Sequence, residues 1–128
     1  MFDAYSFVKT HGIVKESDYA SYAMRKRNCD NTSTKQKFYI SGMKEEDDVT
    51  NERIKQLVSV QPVAAAMYSN PSCLTSYSSG ILTERDCYCS NPSRHDVNHG
   101  ITIVGYGVSD RPDCKEYWLI KNSWGSYW

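Results

Sequence analysis

The sequence predicts an α+β fold, and three observations carry that prediction. Residues 97–124 read as two strand-like runs around a polar loop. Ile101, Ile103 and Gly105 alternate with Thr102, Val104 and Tyr106, and residues 117–120 are aromatic and β-branched, patterns that suit a half-buried pleated sheet. Ile54, Leu57 and Val58 form an apolar stripe at helical spacing that Pro62 stops. At the start of the chain Phe2, Tyr5, Ser6 and Lys9 fall at helical spacing, Phe7 and Val8 widen the apolar face, and Gly12 can end the last turn.

Taken in chain order, residues 2–10 should form a short helix whose Phe and Tyr face needs a surface to pack on. Residues 14–31 mix Tyr19 and Tyr22 with Lys15, Arg25, Lys26 and Arg27 without a sustained period. They read as an irregular crossing segment whose basic cluster is a solvated face. Residues 28–35 form a polar loop holding Cys29 and the pattern Asn31-Thr32-Ser33, a glycosylation acceptor only if that loop is exposed on a secretory route. Phe38 and Ile40 alternate with Tyr39 in a short strand over 37–41.

The run 43–49 carries Glu45, Glu46, Asp47 and Asp48 but no glycine-containing loop of alternating calcium ligands. It reads as a solvated acidic segment suited to the positive end of the helix that follows, with Thr50 or Asn51 as the cap. Residues 63–68, set between Pro62 and Asn70-Pro71, are bounded like a buried strand despite their alanines. Residues 72–96 are loop-rich, with Tyr77 and Ile81 as anchors.

A chain of 128 residues is about one domain by size. Fifteen basic and fifteen acidic side chains leave no net field to draw nucleic acid or an anionic membrane, so neither is expected as a partner. No apolar run approaches the roughly 20 residues of a membrane span, and Met1 opens no signal pattern, so a soluble chain is expected. Five widely spaced cysteines look like an oxidised framework, and the odd count leaves at least one without an internal partner. Cys87, Cys89, His95 and His99 also make a partial zinc set, although Cys-x-Cys is tighter than the usual ligand spacing; no metal or other cofactor is expected.

The polar residues of the hairpin point to chemistry. Ser109, Asp110, Pro112 and Asp113 favour a turn-rich connection. A hairpin symmetric about Asp110 and Arg111 puts His99 opposite Asn122, and opposed residues have Cβ atoms about 4.5–5.5 Å apart, within reach of an imidazole–amide bond. Fixing one ring nitrogen as donor leaves the other free as a base. Trp124, two residues on, can shield that bond from water.

These segments resemble a known family. Val97-Asn98-His99-Gly100, Val104-Gly105-Tyr106-Gly107, Tyr117-Trp118 and Lys121-Asn122-Ser123-Trp124-Gly125 are similar to the histidine and asparagine regions of the papain-like, cathepsin-like cysteine peptidases. Weaker landmarks lie upstream in the same order: Gly12-Ile13-Val14, Asp18-Tyr19, Cys29, Gln61-Pro62-Val63, and Tyr77 with Ser79-Gly80-Ile81.

The resemblance implies that residues 1–35 are a remnant of a helical left-hand domain with its crossing segment. Residues 36–128 would then be a β-rich right-hand domain, an antiparallel barrel-like sheet incomplete at its carboxyl end. It implies peptide hydrolysis at a Cys-His-Asn site, with His99 and Asn122 catalytic and Trp124 supporting. Ala66, Val97, Asn98 and Gly100 would contact the substrate, although alanines chosen for close strand packing explain Ala66 equally well. Cys29 would bond to a cysteine of an amino-terminal half, and one cysteine of the 87–89 region to a partner beyond the carboxyl end.

The sequence contains no Cys-Gly-Ser-Cys-Trp segment, and none of its cysteines matches the family's nucleophile. The expectation is a chain that is inactive alone, marginally stable and prone to self-association. It would be part of an endopeptidase whose thiol lies in a missing amino-terminal half, with peptides or proteins as substrates and a lysosomal, vacuolar or secreted location. The alternatives are a non-catalytic homologue used as a binding module and, more distantly, a zinc-stapled domain.

Overall fold

The computed structural model describes residues 1–69, 71–83, 85–87 and 97–128. Its contacts divide into two units, Met1–Asp48 and Val49–Trp128.

In the first unit, helix α1 spans Phe2–His11. Gly12 ends it with φ 76, and its N–H donates to the Val8 carbonyl at 3.0 Å. Glycine is required there twice over. The positive φ suits a residue without Cβ, and a Cβ would stand 2.9 Å from Lys37 Cβ and from the Tyr39 ring. No residue of α1 is buried; Phe2 and Phe7 remain more than half exposed, with Phe7 stacked on His11 at 4.5 Å. The strand expected over 37–41 contracts to a single antiparallel bridge, in which Ile13 and Phe38 exchange two hydrogen bonds of 2.8 Å. Ile13 lies between Gly12, which ends α1, and the 3-10 turn Glu16–Asp18, so little extended chain is left to pair with residues 37–41.

In the second unit, helix α2 spans Asn51–Val58, and Thr50 is its cap: the Arg53 N–H donates to Thr50 Oγ1 at 3.2 Å. Three strands, β1 (Val63–Met67), β2 (His99–Val108) and β3 (Glu116–Lys121), form an antiparallel sheet in the order β1-β2-β3. The mixture of helix and antiparallel sheet is that of an α+β protein. The sheet is open among the described residues, with β1 and β3 as its edges. A five-residue helix, α3 (Pro71–Thr75), opens the stretch expected to be loop-rich.

The core of this unit lies between α2 and the middle of the sheet. Val58, Ile101 and Ile103 are buried, and Ile54, Val63, Ala65, Met67 and Trp118 pack against them. The inward set on β1 is Val63, Ala65 and Met67, the two-residue period expected of a strand with one covered face. Lys55 of α2 reaches Glu116 of β3 at 2.6 Å and lies 6.0 Å over the Tyr106 ring, so the helix is also held at the sheet's edge. The bond to Glu116 raises the Lys55 pKa above its ordinary value.

The β2–β3 connection is built by the turn residues named above. Ser109 N–H donates to the Lys115 carbonyl at 2.8 Å, and Arg111 N–H donates to Ser109 Oγ at 3.1 Å. The Arg111 guanidinium grips both oxygens of Asp113 at 3.0 and 2.7 Å and donates to the Ile81 carbonyl at 2.8 Å. This fork-to-carboxylate pairing is the favoured geometry for arginine.

Two outcomes are expected. Thr50→Ala leaves the Arg53 N–H without its cap and should lower stability by about 1 kcal/mol in denaturant unfolding. The Arg111 guanidinium holds the Asp113 carboxyl below its ordinary pKa. A depressed folded-state pKa means that the pair stabilises above the unfolded value and is lost as pH falls through the folded one. Asp113→Asn should therefore flatten the acid side of the stability–pH curve and leave the neutral-to-alkaline side shaped as before.

Candidate active site

His99 is the first residue of β2, and Asn122 and Trp124 follow the end of β3. His99 Nε2 lies 3.0 Å from Asn122 Oδ1. The hairpin does not reach this contact by the symmetric register. Thr102 opposes Lys121 and Ile103 opposes Ile120, two residues further along β3 than symmetry about Asp110 and Arg111 gives, and a register shift separates Ile103 from Gly105. The displacement begins at the loop: Val108 opposes Glu116, three residues further along than that symmetry gives, so the hairpin turns about Pro112, and the shift between Ile103 and Gly105 takes one residue back.

Carried past Lys121, the observed register puts Trp124 opposite His99 and Asn122 on the diagonal. Diagonal positions still lie within reach of long side chains and share the face. The rings agree with this placement, His99 and Trp124 lying 5.2 Å apart between centroids at 44°.

The bonds at Asn122 decide the chemistry of the ring. The Ser123 backbone N–H donates to the same Oδ1 at 2.8 Å, which identifies that atom as the acceptor, since an amide nitrogen could not receive it. An acceptor oxygen facing Nε2 at 3.0 Å makes Nε2 the proton-bearing nitrogen. Nδ1 then keeps its lone pair and is the atom able to take a proton.

On its amino side, His99 is set by Asn98. The Asn98 N–H donates to the Met67 carbonyl at 3.1 Å. Its side chain takes the Ser69 N–H at 2.8 Å and donates to the Ser69 carbonyl at 3.2 Å. Asn98 therefore ties the end of β1 to the start of β2, and its partner Ser69 is buried. The register pairs Met67 with His99 and Ala66 with Gly100. Ala66 and Gly100 thus lie side by side on the sheet face opposite that of His99, and Ala66 and Val97 are exposed.

Trp128 joins the group without having been singled out in the sequence. Its ring meets Trp124 edge-on at 5.4 Å and Tyr77 at 5.5 Å, and its Nε1–H donates to the Leu74 carbonyl of α3 at 2.7 Å. The available signal was the spacing Trp124-x-x-x-Trp128, two indoles close enough in sequence to share a cluster.

The sequence matches the family model described as papain family cysteine protease over residues 1–128. The chain is 29% identical to procathepsin L of Rattus norvegicus over 98% of its own length and 36% of that protein's. It is 34% identical to vignain of Vigna mungo over 100% of its length and 33% of the relative's. Against digestive cysteine proteinase 3 of Homarus americanus it is 31% identical over 100% of its length and 37% of the relative's. The chain belongs to the papain family of cysteine proteases. It spans about a third of the length of these relatives.

The cysteines correct one sequence expectation. Cys87, a member of the partial zinc set, is bonded to Cys73, with Cα atoms 5.1 Å apart. A disulfide sulfur has no thiolate to offer a metal, so the zinc-stapled reading loses that ligand; Cys89 and His95 lie outside the described residues. No group of three or more metal-ligating side chains is assembled among the described residues. The Cys73–Cys87 bond also means that Cys87 is not the cysteine reserved for a partner beyond the carboxyl end. Cys29 is an exposed free thiol, and Cys114 is free with its Sγ 3.2 Å from the Glu116 carbonyl.

Peptide mapping without reductant should recover Cys73 and Cys87 in one linked fragment, with Cys29 and Cys114 alkylated. A bridge across a separation of 14 residues is worth about 3 kcal/mol by loop-closure entropy. The Cys73→Ser, Cys87→Ser double variant should lose stability of that order.

Proposed function

We propose that this chain carries the histidine and asparagine of a papain-like cysteine endopeptidase, and that the nucleophilic thiol comes from a segment outside these 128 residues. The observation that carries the reading is the His99 Nε2 to Asn122 Oδ1 bond, which leaves Nδ1 free to exchange a proton with a thiol. The family membership and the relatives' greater length support it. In this reading the two units are parts of a larger two-domain peptidase. The β1-β2-β3 sheet is one wall of a barrel-like right-hand domain, and α1 and the crossing segment belong with a helical left-hand domain.

The reaction follows from the ring's geometry. With its proton on His99 Nδ1, the thiol becomes a thiolate beside an imidazolium, which lowers the thiol pKa. The thiolate attacks the scissile carbonyl carbon. Collapse of the tetrahedral adduct breaks the C–N bond, the leaving amine takes the Nδ1 proton, and a thioester remains. Water, deprotonated by Nδ1, then hydrolyses the thioester and releases the carboxyl product. Asn122 holds the ring in the required tautomer and Trp124 covers the bond. Val97, Asn98 and Gly100 border the substrate backbone, and small Ala66 leaves room for an apolar second side chain. Peptides and proteins are the substrates, and the enzyme works in a lysosomal, vacuolar or secreted setting.

Assembly of this chain with a thiol-bearing amino-terminal half should give hydrolysis of peptides with an apolar second side chain. His99→Ala in that assembly should lower the rate by about 10²–10⁴, the range typical of general acid–base catalysis. Asn122→Ala should cost less, because it orients the ring and transfers no proton. A correctly folded assembly that neither cleaves peptides nor reacts with a thiol-directed inhibitor would overturn the peptidase reading in favour of a binding module.

A further inference from the structure

Residues 19–29 form an unbroken exposed run without helix or strand. At its tip Tyr22 and Met24 are 89% and 86% exposed, and Met24 has φ 53, a left-handed conformation disfavoured for a residue with a side chain. The base, in contrast, is pinned. Ala20 N–H donates to Asp30 Oδ2 at 2.7 Å, the Arg27 guanidinium donates to the Ala20 carbonyl at 2.8 Å, and Asp30 N–H donates to the Tyr19 hydroxyl at 3.3 Å. Arg27 also lies 3.6 Å from Asp30 and 5.6 Å over the Tyr19 ring. These contacts close a loop whose tip, residues 21–26, presents Arg25 and Lys26 to solvent.

We propose that this tip is a proteolytic processing site, cut at the Arg25–Lys26 and Lys26–Arg27 bonds by an endopeptidase that reads a basic residue on the amino side of the scissile bond. An endopeptidase needs several residues of chain free of helix and sheet bonds, and exposed loop tips are where such segments occur. An acidic specificity pocket needs a cation that nothing else holds. Arg27 does not qualify, because Ala20, Asp30 and Tyr19 hold it. Lys44 is exposed but paired with Glu46 at 2.6 Å and followed directly by Glu45, charges that an acidic pocket repels. Arg111 is clamped on Asp113 and precedes Pro112.

The step is simple hydrolysis. The hydroxyl of water bonds to the Arg25 or Lys26 carbonyl carbon, the C–N bond breaks, and the remaining proton goes to the new amine. The product should be a nicked molecule whose pieces stay together. The segments on either side of the cut remain joined by the Ile13–Phe38 bridge, by the Ala20–Asp30 bond and by Lys35 with Asp18 at 3.4 Å.

The test is limited digestion of the 128-residue chain with trypsin, followed by mass spectrometry, with circular dichroism showing that the fold persists. The first cuts should fall after Arg25 or Lys26, giving two pieces on a denaturing gel and one species at native size. Arg25→Gln with Lys26→Gln, which removes no hydrogen bond or ion pair among the described residues, should abolish the early cuts while preserving the unfolding midpoint. A first cut elsewhere in the chain would overturn the proposal, as would an undiminished early cut in the double variant. Cleavage that begins only when the chain is heated through unfolding, or pieces that separate at native size, would overturn it equally.

Discussion

Asn122 Oδ1 receives the Ser123 backbone N–H while facing His99 Nε2, and the orientation of the histidine depends on that shared oxygen. The backbone bond fixes which end of the amide is the acceptor, and the acceptor in turn fixes the tautomer of the ring. An amide free to turn over would present a donor to the same nitrogen half the time and move the lone pair to the wrong side. The chain therefore sets the tautomer of a side chain on β2 through a backbone group that follows β3.

Holding those two groups together is the task of a small core. Only Val58, Ile101 and Ile103 are buried among the apolar residues of the described chain, and they fix α2 against the centre of the sheet. His99 sits two residues from Ile101 on the same strand face, so the ring inherits its position from the best-packed part of the unit. At the other end, Asn98 fastens the entry of β2 to Ser69, just past β1. Beyond β3, Trp124 and Trp128 lean on one another, and the second indole is anchored to α3 through the Leu74 carbonyl. The imidazole is thus held from both strands while its surroundings stay partly open to solvent.

The thin packing has a physical counterpart in the exposed apolar surface. Phe2 and Phe7 on α1, and Leu119 and Ile120 on β3, remain substantially exposed. With the chain matching about a third of the length of its relatives, such surface is what the proposed larger peptidase would cover. Two faces of a sheet cannot both be satisfied by one short helix, and α2 covers only the centre of one.

By itself the sequence determined the residue types and their local order. Alternation around Ile101 and Ile103, the stripe at Ile54 and Val58, the Thr50 cap and the turn chemistry of Ser109 and Asp113 all act over a few residues, so they were legible before any coordinates. The same holds for His99, Asn122 and Trp124, whose flanking motifs carry the family resemblance. Tertiary structure decided what local pattern cannot encode. The hairpin's register moved because its connection turns about Pro112 rather than between Asp110 and Arg111, with Val108 opposite Glu116 and a one-residue shift between Ile103 and Gly105. The strand over 37–41 shrank to one bridge, Ile13 with Phe38, because the partner segment is held between the end of α1 and the turn at Glu16–Asp18. Cys73 was matched to Cys87, and Trp128 to Leu74, by proximity in space. Side-chain identity states what a residue can bond to, and only the folded chain brings a particular partner within a few ångströms.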